Sequence, residues 1–216
     1  MLRFRYQTFE FDDMDVHLRT LRDTQQFDDP DGVAAAMGIR ADTWSLFGVV
    51  WTSSEILAQM MFEFDFDNKR ILEFGCGVAL ASHVLNMRGA DITATDFHPE
   101  AEAFLSYNVA LNEQRSIPFF SSRWDDEQGD MGKFDVIIAS EVLYEPKNIE
   151  SLVRFIVRHA KAESETIILD RGRGVVESFT DAMITNGFSH STFTPACTDQ
   201  LGLPYEGAVH RYIRHA

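Results

Sequence analysis

From residue 70 onward, short apolar runs of strand length alternate with segments of helical periodicity. Alternation of this kind is typical of an α/β domain whose parallel sheet is covered by helices on both faces. Phe188–Pro195 and Ala208–Ile213 read as strands with no helix between them, which predicts an antiparallel pair at one edge. The predicted strands of the parallel part are Arg70–Phe74, Asp91–Asp96, Pro118–Ser122, Phe134–Ala139 and Thr166–Asp170. The predicted helices between and after them are Leu80–Met87, Glu100–Leu111, Asn148–Ala160 and Val175–Thr185.

The length of the chain limits the number of domains, and its net charge limits the kinds of binding partner. A chain of 216 residues fits one domain, or one domain with an elaborated end. The net charge of −15 argues against binding to nucleic acid or to an anionic membrane, and it permits basic segments or cationic small molecules as partners. The same charge also suits plain solubility. No run approaches the ~20 apolar residues of a membrane span, and Met1–Glu10 lacks the apolar core of a secretory signal. We therefore expect a cytoplasmic protein.

The segment ILEFGCGVA, residues 71–79, joins the first predicted strand to the helix that follows it. Gly75 and Gly77 permit tight backbone geometry where a Cβ would obstruct a bound cofactor. The next strand ends at Asp96, the position where doubly wound folds hold a ribose diol with a carboxylate. The pattern predicts a site for a nucleoside-bearing cofactor, and a turn acid that caps the next helix is the structural alternative for Asp96.

The spacing of the glycines distinguishes between cofactors. A dinucleotide site requires G-x-G-x-x-G, and the residue three after Gly77 is Leu80. Glu73, two residues before the first glycine, suits a cationic ligand better than a pyrophosphate, acting through the loop or through water. The predicted cofactor is therefore S-adenosyl-L-methionine (SAM), with S-adenosyl-L-homocysteine (SAH) as product, and a nicotinamide-dependent oxidoreductase is the alternative class.

Four segments together resemble class I SAM-dependent methyltransferases. Glu73 to Ala79 is similar to their first motif, E/D-x-G-x-G-x-G, with Ala79 in place of the last glycine. The segments Gly48–Trp51, Ser122–Asp125 and Phe134–Tyr144 resemble motifs of the seven-strand lysine methyltransferase-like group, methyltransferase family 16. The resemblance covers roughly residues 45–190. It implies a Rossmann-like sheet of seven strands in the order 3-2-1-4-5-7-6, with the C-terminal strand antiparallel.

The resemblance also implies residue roles around the cofactor. Trp51 would pack over it, and the loop of Gly75, Cys76 and Gly77, preceded by Glu73, would approach its methionine end. Asp96 would hold the ribose. The residues expected beside the adenine or beneath the cofactor are Phe97, Trp124, Asp125 and Ser140.

Glu141 and Tyr144 are the predicted catalytic residues. The family pattern at this point is D-x-x-Y/F, so the acid here is one methylene longer. A carboxylate and an aromatic face orient an amine and stabilise positive charge during methyl transfer. The predicted acceptor is a protein lysine. A small-molecule amine, and a SAM- or SAH-binding protein without catalysis, are the alternatives.

The remaining segments give weaker expectations. Residues 1–47 are rich in aromatic side chains and predict an N-terminal extension that covers the site as a lid, followed by the methyltransferase domain at 48–216.

Asp170–Gly174 reads as a strand-to-helix turn, or alternatively as a segment that closes the substrate pocket or binds an anion. No histidine pair shows metal-ligand spacing, so no metal is expected. The oligomeric state is left open.

Overall fold

A computed structural model describes residues 2–126, 131–172, 174–195, 202 and 205–216. The chain begins with a hairpin of two strands, β1 (Phe4–Phe11) and β2 (Met14–Leu21), which pair antiparallel around a turn at Asp12. A short helix α1 (Val33–Ala36), a 3₁₀ helix (Trp44–Gly48) and helix α2 (Thr52–Glu63) follow.

The rest of the chain builds a sheet of seven strands. Its elements in chain order are β3 (Arg70–Phe74), α3 (Leu80–Met87), β4 (Asp91–Asp96), α4 (Ala101–Leu111), β5 (Phe119–Ser121), β6 (Phe134–Ser140), α5 (Ile149–His159), β7 (Ala160–Asp170), α6 (Val176–Thr185), β8 (Phe188–Phe193) and β9 (Ala208–Arg214). The strand order is β5-β4-β3-β6-β7-β9-β8. Counted from β3 as strand 1, this is 3-2-1-4-5-7-6, which confirms the predicted order.

Strand direction also follows the prediction. β3 pairs parallel with β4 and β6, and the parallel pairing extends to β5 at one end and β7 at the other. β9 lies antiparallel between β7 and β8, so the C-terminal strand is the reversed one. The fold is therefore the expected Rossmann-like, mostly parallel α/β sheet. The carboxyl ends of β3, β4, β6 and β7 meet at one edge, where this topology places ligand sites.

One strand differs from its predicted bounds by more than two residues. β7 begins at Ala160, six residues earlier than expected, and residues 160–165 are polar and lack an apolar run. The backbone at Ala160 pairs with Phe134 of β6, and Ser164 pairs with Arg214 of β9. Pairing with both neighbours makes these residues a strand where periodicity gives no signal.

The N-terminal hairpin packs on the helices of the main domain. Phe11, Val16, Leu18 and Leu21 belong to the same buried cluster as side chains of α2 and α3. Asn108 of α4 and Asn112, which directly follows that helix, bond the backbone of β2: each side-chain amide accepts one β2 N–H and donates to one β2 carbonyl. These bonds satisfy backbone groups that an exposed strand edge leaves unpaired. Within the described residues, no helix has the length and apolarity to cross a membrane.

Candidate active site

The loop after β3 has an unusual backbone. Gly75, Gly77 and Ala79 all have left-handed conformations, with φ of 58°, 55° and 59°. A Cβ on Gly75 would lie 2.9 Å from Cγ1 of Val142, and a Cβ on Gly77 would lie 2.8 Å from the carbonyl oxygen of Phe47. Both glycines are therefore required by protein neighbours as well as by the loop's own geometry. Ala79 takes the left-handed conformation without a glycine, as the first residue before α3.

Glu73 points into the protein. Its carboxylate accepts hydrogen bonds from the backbone N–H of Ser82 at 2.9 Å and from the Ser82 hydroxyl. Ser82 is the third residue of α3, whose N-cap Ala79 has no side chain able to bond the helix amides. Glu73 thus caps α3 from the preceding strand. Burial raises the pKa of its carboxyl to about 7, although the hydrogen bonds from Ser82 lower that pKa in part. The described hydrogen bonds of this carboxyl are thus to α3.

Asp96 ends β4 beside the same loop. One carboxylate oxygen accepts the backbone N–H of Gly77 and the other accepts that of His98, both at 2.9 Å. Burial raises the pKa of this carboxyl, while backbone amides oppose the rise. Each carboxylate oxygen has a second lone pair. The group therefore retains the capacity to accept hydrogen bonds from a diol.

The 3₁₀ helix before α2 packs against this end of the site. The ring of Phe47 stacks on His98 with centroids 3.7 Å apart, and Trp44 meets the same imidazole edge-on at 5.3 Å. Burial lowers the pKa of His98 to about 4, so the imidazole is neutral at neutral pH. Sequence analysis missed Phe47 and His98. Their signal is an aromatic residue directly before Gly48 and a histidine two positions after Asp96.

Two further predicted residues lie on the α2 side of this edge. Trp51 is exposed, and its indole N–H donates to the carbonyl of Leu46 at 3.1 Å. Ser140 at the end of β6 exchanges a hydrogen bond of 3.1 Å with Ser54 of α2. The exposed face of Trp51 remains available to a ligand, and the two serines fix α2 against β6.

Of the residues expected beside the adenine, Trp124 lies among aromatic side chains, whereas Asp125 and Phe97 lie beside a guanidinium. Trp124 packs between Phe74 and Tyr144, at centroid distances of 6.4 and 6.3 Å. Asp125 is exposed and pairs with Arg123 at 3.2 Å, and the same guanidinium lies 5.8 Å from the ring centroid of Phe97. Trp124 thereby connects the glycine loop to Tyr144. Asp125 and Phe97 lie together through Arg123, which the sequence did not single out.

Glu141 and Tyr144 follow β6. Glu141 adopts φ of 56°, a strained conformation for a residue with a side chain, and its backbone N–H donates to Leu169 of β7 at 2.9 Å. Its carboxylate lies 3.3 Å from Nε of Arg171. Tyr144 is 45% exposed. Desolvation of its hydroxyl, together with the charges of Asp96 and Glu145, raises its pKa to about 12, so the phenol stays protonated at neutral pH.

These residues fit a nucleoside-bearing cofactor. An acceptor carboxylate at Asp96, a left-handed glycine loop and the aromatic side chains of Trp51 and Trp124 lie along one sheet edge. The burial of Cys76, with Asp96 and Glu73 nearby, raises its thiol pKa well above the ordinary value, so it stays neutral. Among the described residues, no group of three His, Cys, Asp or Glu side chains is arranged to hold a metal ion.

The strand order and this site define the class I SAM-dependent methyltransferase fold. Magnesium protoporphyrin IX methyltransferase from Synechocystis, solved with bound SAM, superposes with a TM-score of 0.58 at 17% identity over 76% of this chain and 78% of that one. The sequence pattern of the family described as lysine methyltransferase matches residues 37–183, well over half of the chain. The chain belongs to this family.

Two curated relatives match the chain over part of their length. A protein N-lysine methyltransferase, METTL21A of Danio rerio, is 26% identical over 137 residues, which is 58% of this chain and 62% of the relative. A histone-arginine methyltransferase, METTL23 of Xenopus laevis, is 28% identical over 118 residues, half of each chain. The chain thus matches only half to three fifths of these relatives' length.

Proposed function

We propose that this protein transfers a methyl group from SAM to the side-chain nitrogen of a lysine in a protein substrate. The observation that carries the proposal is the position of the Glu141–Tyr144 segment. Val142 of this segment packs against Gly75 of the glycine loop, and Tyr144 packs against Trp124. An acid and an aromatic ring therefore lie next to the loop proposed to hold the methyl donor.

When bound, SAM supplies an electrophilic methyl group on a sulfonium. The residues proposed to hold it are Asp96 for the ribose, the loop from Gly75 to Gly77 for the methionine end, and Trp51 and Trp124 for apolar contact. The two carboxyls of the site then have different roles. Asp96 binds the ribose of the cofactor, and Glu141 binds the acceptor nitrogen.

Glu141 and Tyr144 are proposed to receive the acceptor nitrogen. The carboxylate attracts the lysine ammonium and orients it. The nitrogen must lose one proton to water before its lone pair can accept the methyl group, and the ring stabilises positive charge on the nitrogen and methyl group during the transfer. Because Tyr144 keeps its proton at neutral pH, it supplies a ring face and a hydroxyl, and it does not act as a phenolate base. Most of the remaining rate enhancement comes from holding the nitrogen in line with the transferred methyl group.

The relatives and the charge support a protein acceptor. The relative from Danio rerio is named as a lysine methyltransferase and that from Xenopus laevis as a histone-arginine methyltransferase. A net charge of −15 favours encounter with basic protein segments. The family's description as lysine methyltransferase favours lysine over arginine.

The test has a binding arm and a transfer arm. Calorimetric titration of the purified protein with SAM, SAH and NAD is expected to give micromolar binding for the two adenosyl ligands and none for NAD. Incubation with radiolabelled SAM and a cell lysate, followed by mass spectrometry, is expected to place the methyl group on lysine. Absence of SAM and SAH binding overturns the cofactor assignment. Label confined to arginine, histidine or a small amine overturns the lysine assignment.

A further inference from the structure

The guanidinium of Arg123 joins three segments of the chain at the β5 end of the site. Arg123 is the second residue after β5. Its Nη1 donates to the carbonyl of Met37 at 2.9 Å, and its Nε lies 3.2 Å from Oδ1 of Asp125. The same group lies 5.8 Å from the ring centroid of Phe97, which directly follows Asp96. One side chain thus connects the end of α1, the loop after β4 and the loop after β5.

The backbone from which this side chain extends is fixed relative to Asp96. The N–H of Ser122 donates to the carbonyl of Asp96 at 3.1 Å. The next N–H, that of Arg123, donates to Oδ2 of Asp126 at 2.9 Å, and the N–H of Asp126 donates back to the Arg123 carbonyl at 3.2 Å. Because Asp96 is the residue proposed to hold the ribose, the position of the Arg123 backbone is tied to the proposed ribose site.

The segment that carries Met37 also packs on the loop after β4 at a second point. Met37 is the C-cap of α1, where the last carbonyls of a helix have no partner within the helix. The Arg123 guanidinium supplies a donor to its carbonyl. Further along the same segment, the ring of Phe47 stacks on His98. Residues 33–48 are therefore connected to the loop after β4 through both Arg123 and Phe47.

The strand order indicates where the base of the proposed cofactor extends. Strands β5, β4 and β3 are neighbours in that order. The methionine end is assigned to the loop after β3, and the ribose is assigned to Asp96 at the end of β4. The base and the methionine chain are attached to opposite ends of the ribose, so the base extends toward the end of β5. This is the place where Arg123 holds the three segments together.

We propose that Arg123 is a positioning residue for the base of the cofactor. The proposal rests on the proposed function, in particular on SAM as the cofactor and Asp96 as its ribose ligand. By holding Phe97 and Asp125, the guanidinium places an aromatic face and a carboxylate acceptor beside the base. Without Arg123, these loops must be ordered when the base binds, and the cost of ordering them lowers affinity.

The test compares the binding of SAH with that of S-ribosylhomocysteine, which retains the sugar and the amino-acid chain but lacks the base, by ligand-observed NMR titration. Arg123→Gln is expected to weaken SAH binding by about three- to tenfold, the range for one surface cation–π contact and one hydrogen bond. Its binding of S-ribosylhomocysteine is expected to equal that of wild type. A purely structural loss at the site would weaken both ligands.

Two further variants test the contacts of the guanidinium. Arg123→Lys keeps the positive charge but lacks the planar fork that reaches both Met37 and Asp125, so an intermediate SAH affinity is expected. In a Phe97→Leu background, Arg123→Gln is expected to cost less SAH affinity than it does in wild type, because the two residues act together.

Arg40→Gln is the matched control. Arg40 is an exposed arginine of the same N-terminal segment and pairs with Asp42, two positions away, so both affinities are expected to stay unchanged. The proposal is overturned if Arg123→Gln binds SAH as wild type does, or if S-ribosylhomocysteine binding weakens by the same factor. Arg123→Met repeats the test if the glutamine variant does not fold.

Failure of this inference differs from failure of the proposed function. If wild type binds no SAH, the cofactor assignment is overturned and this inference with it. If wild type binds SAH and Arg123→Gln binds it equally well, only this inference is overturned. A loss confined to the ligand that carries the base supports the inference whichever nitrogen accepts the methyl group, because the titration requires no methyl transfer.

Discussion

The carboxylate of Asp96 accepts the backbone N–H of Gly77 at 2.9 Å. The acid at the end of β4 therefore fixes the glycine loop that follows β3, while its remaining lone pairs are free to accept further donors. Its second oxygen accepts the N–H of His98, whose ring stacks on Phe47. One buried carboxyl connects the two loops proposed to surround the cofactor.

Substitution of Asp96 tests the ribose assignment. Asp96→Asn retains one acceptor oxygen and is expected to weaken SAH binding by about 1–3 kcal/mol, the cost of unmaking charge-assisted hydrogen bonds. Calorimetric titration with SAH measures the loss. Asp91→Asn is the control, because Asp91 begins the same strand and pairs with Arg70 on the surface. Wild-type affinity in Asp96→Asn would rule out a role for this carboxyl in cofactor binding.

The raised pKa of Glu73 predicts that the stability of the folded protein depends on pH. Its pKa is about 7 in the folded protein, against an ordinary value of 4.5. The folded state thus holds this proton more tightly than the unfolded state. The resulting stability is fully present below pH 4.5 and is lost as the pH rises through 7.

Glu73→Gln removes this titration and keeps an oxygen for the Ser82 bonds. Urea unfolding of both proteins between pH 4.5 and 8 is the measurement. The stability of Glu73→Gln relative to wild type is expected to rise with pH by up to about 3 kcal/mol. A difference that stays constant across this range would show that the Glu73 pKa is the same in both states.

The close approach of Phe47 predicts that Gly77 tolerates no side chain. Gly77→Ala combines a left-handed φ with a Cβ 2.8 Å from the Phe47 carbonyl oxygen. The strain costs about 1–2 kcal/mol and the forced displacement of backbone about 1–3 kcal/mol more. Gly89→Ala is the matched control, since its φ is 89° and no atom lies within 4 Å. Urea unfolding is expected to show a greater loss for Gly77→Ala. Equal losses would contradict the contact with Phe47.

The proposed acceptor residues predict a separation of binding from transfer. Glu141→Gln is expected to bind SAH as wild type does and to lower kcat/KM for a labelled lysine substrate by about 10- to 100-fold. Tyr144→Phe keeps the ring and is expected to retain more activity than Tyr144→Ala. Glu150→Gln, which removes an exposed partner of Arg154, is the control. A parallel loss of SAH affinity in Glu141→Gln would assign this residue to the cofactor instead.

The role of residues 1–47 stays a prediction, as does the boundary at residue 48. Trp44 and Phe47 lie in the same buried cluster as side chains of α2 and α3. The family pattern begins at residue 37. Limited proteolysis with and without SAH would show whether this segment changes its protection when ligand is bound, as a lid requires.

Local patterns in the sequence predicted the strands, the helices and their succession along the chain, whereas the order of the strands in the sheet followed from the resemblance to the methyltransferase family. Apolar runs of strand length, the glycines after the first of them and the acid at the end of the second are signals carried by adjacent residues. The first half of β7 is an exception, because it is polar enough that only its pairing partners make it a strand.

Tertiary structure alone decided what each site residue touches. Glu73 was expected to serve a cationic ligand through the loop, and the fold directs it to the N-terminus of α3. Gly77 was expected to make room for a cofactor, and the fold also brings the Phe47 carbonyl against it. The pairing of Glu141 with Arg171 joins residues 30 positions apart, because β6 and β7 are parallel neighbours that end at the same edge. Sequence periodicity reports which face of an element is buried, whereas contacts between loops depend on how the elements are arranged in space.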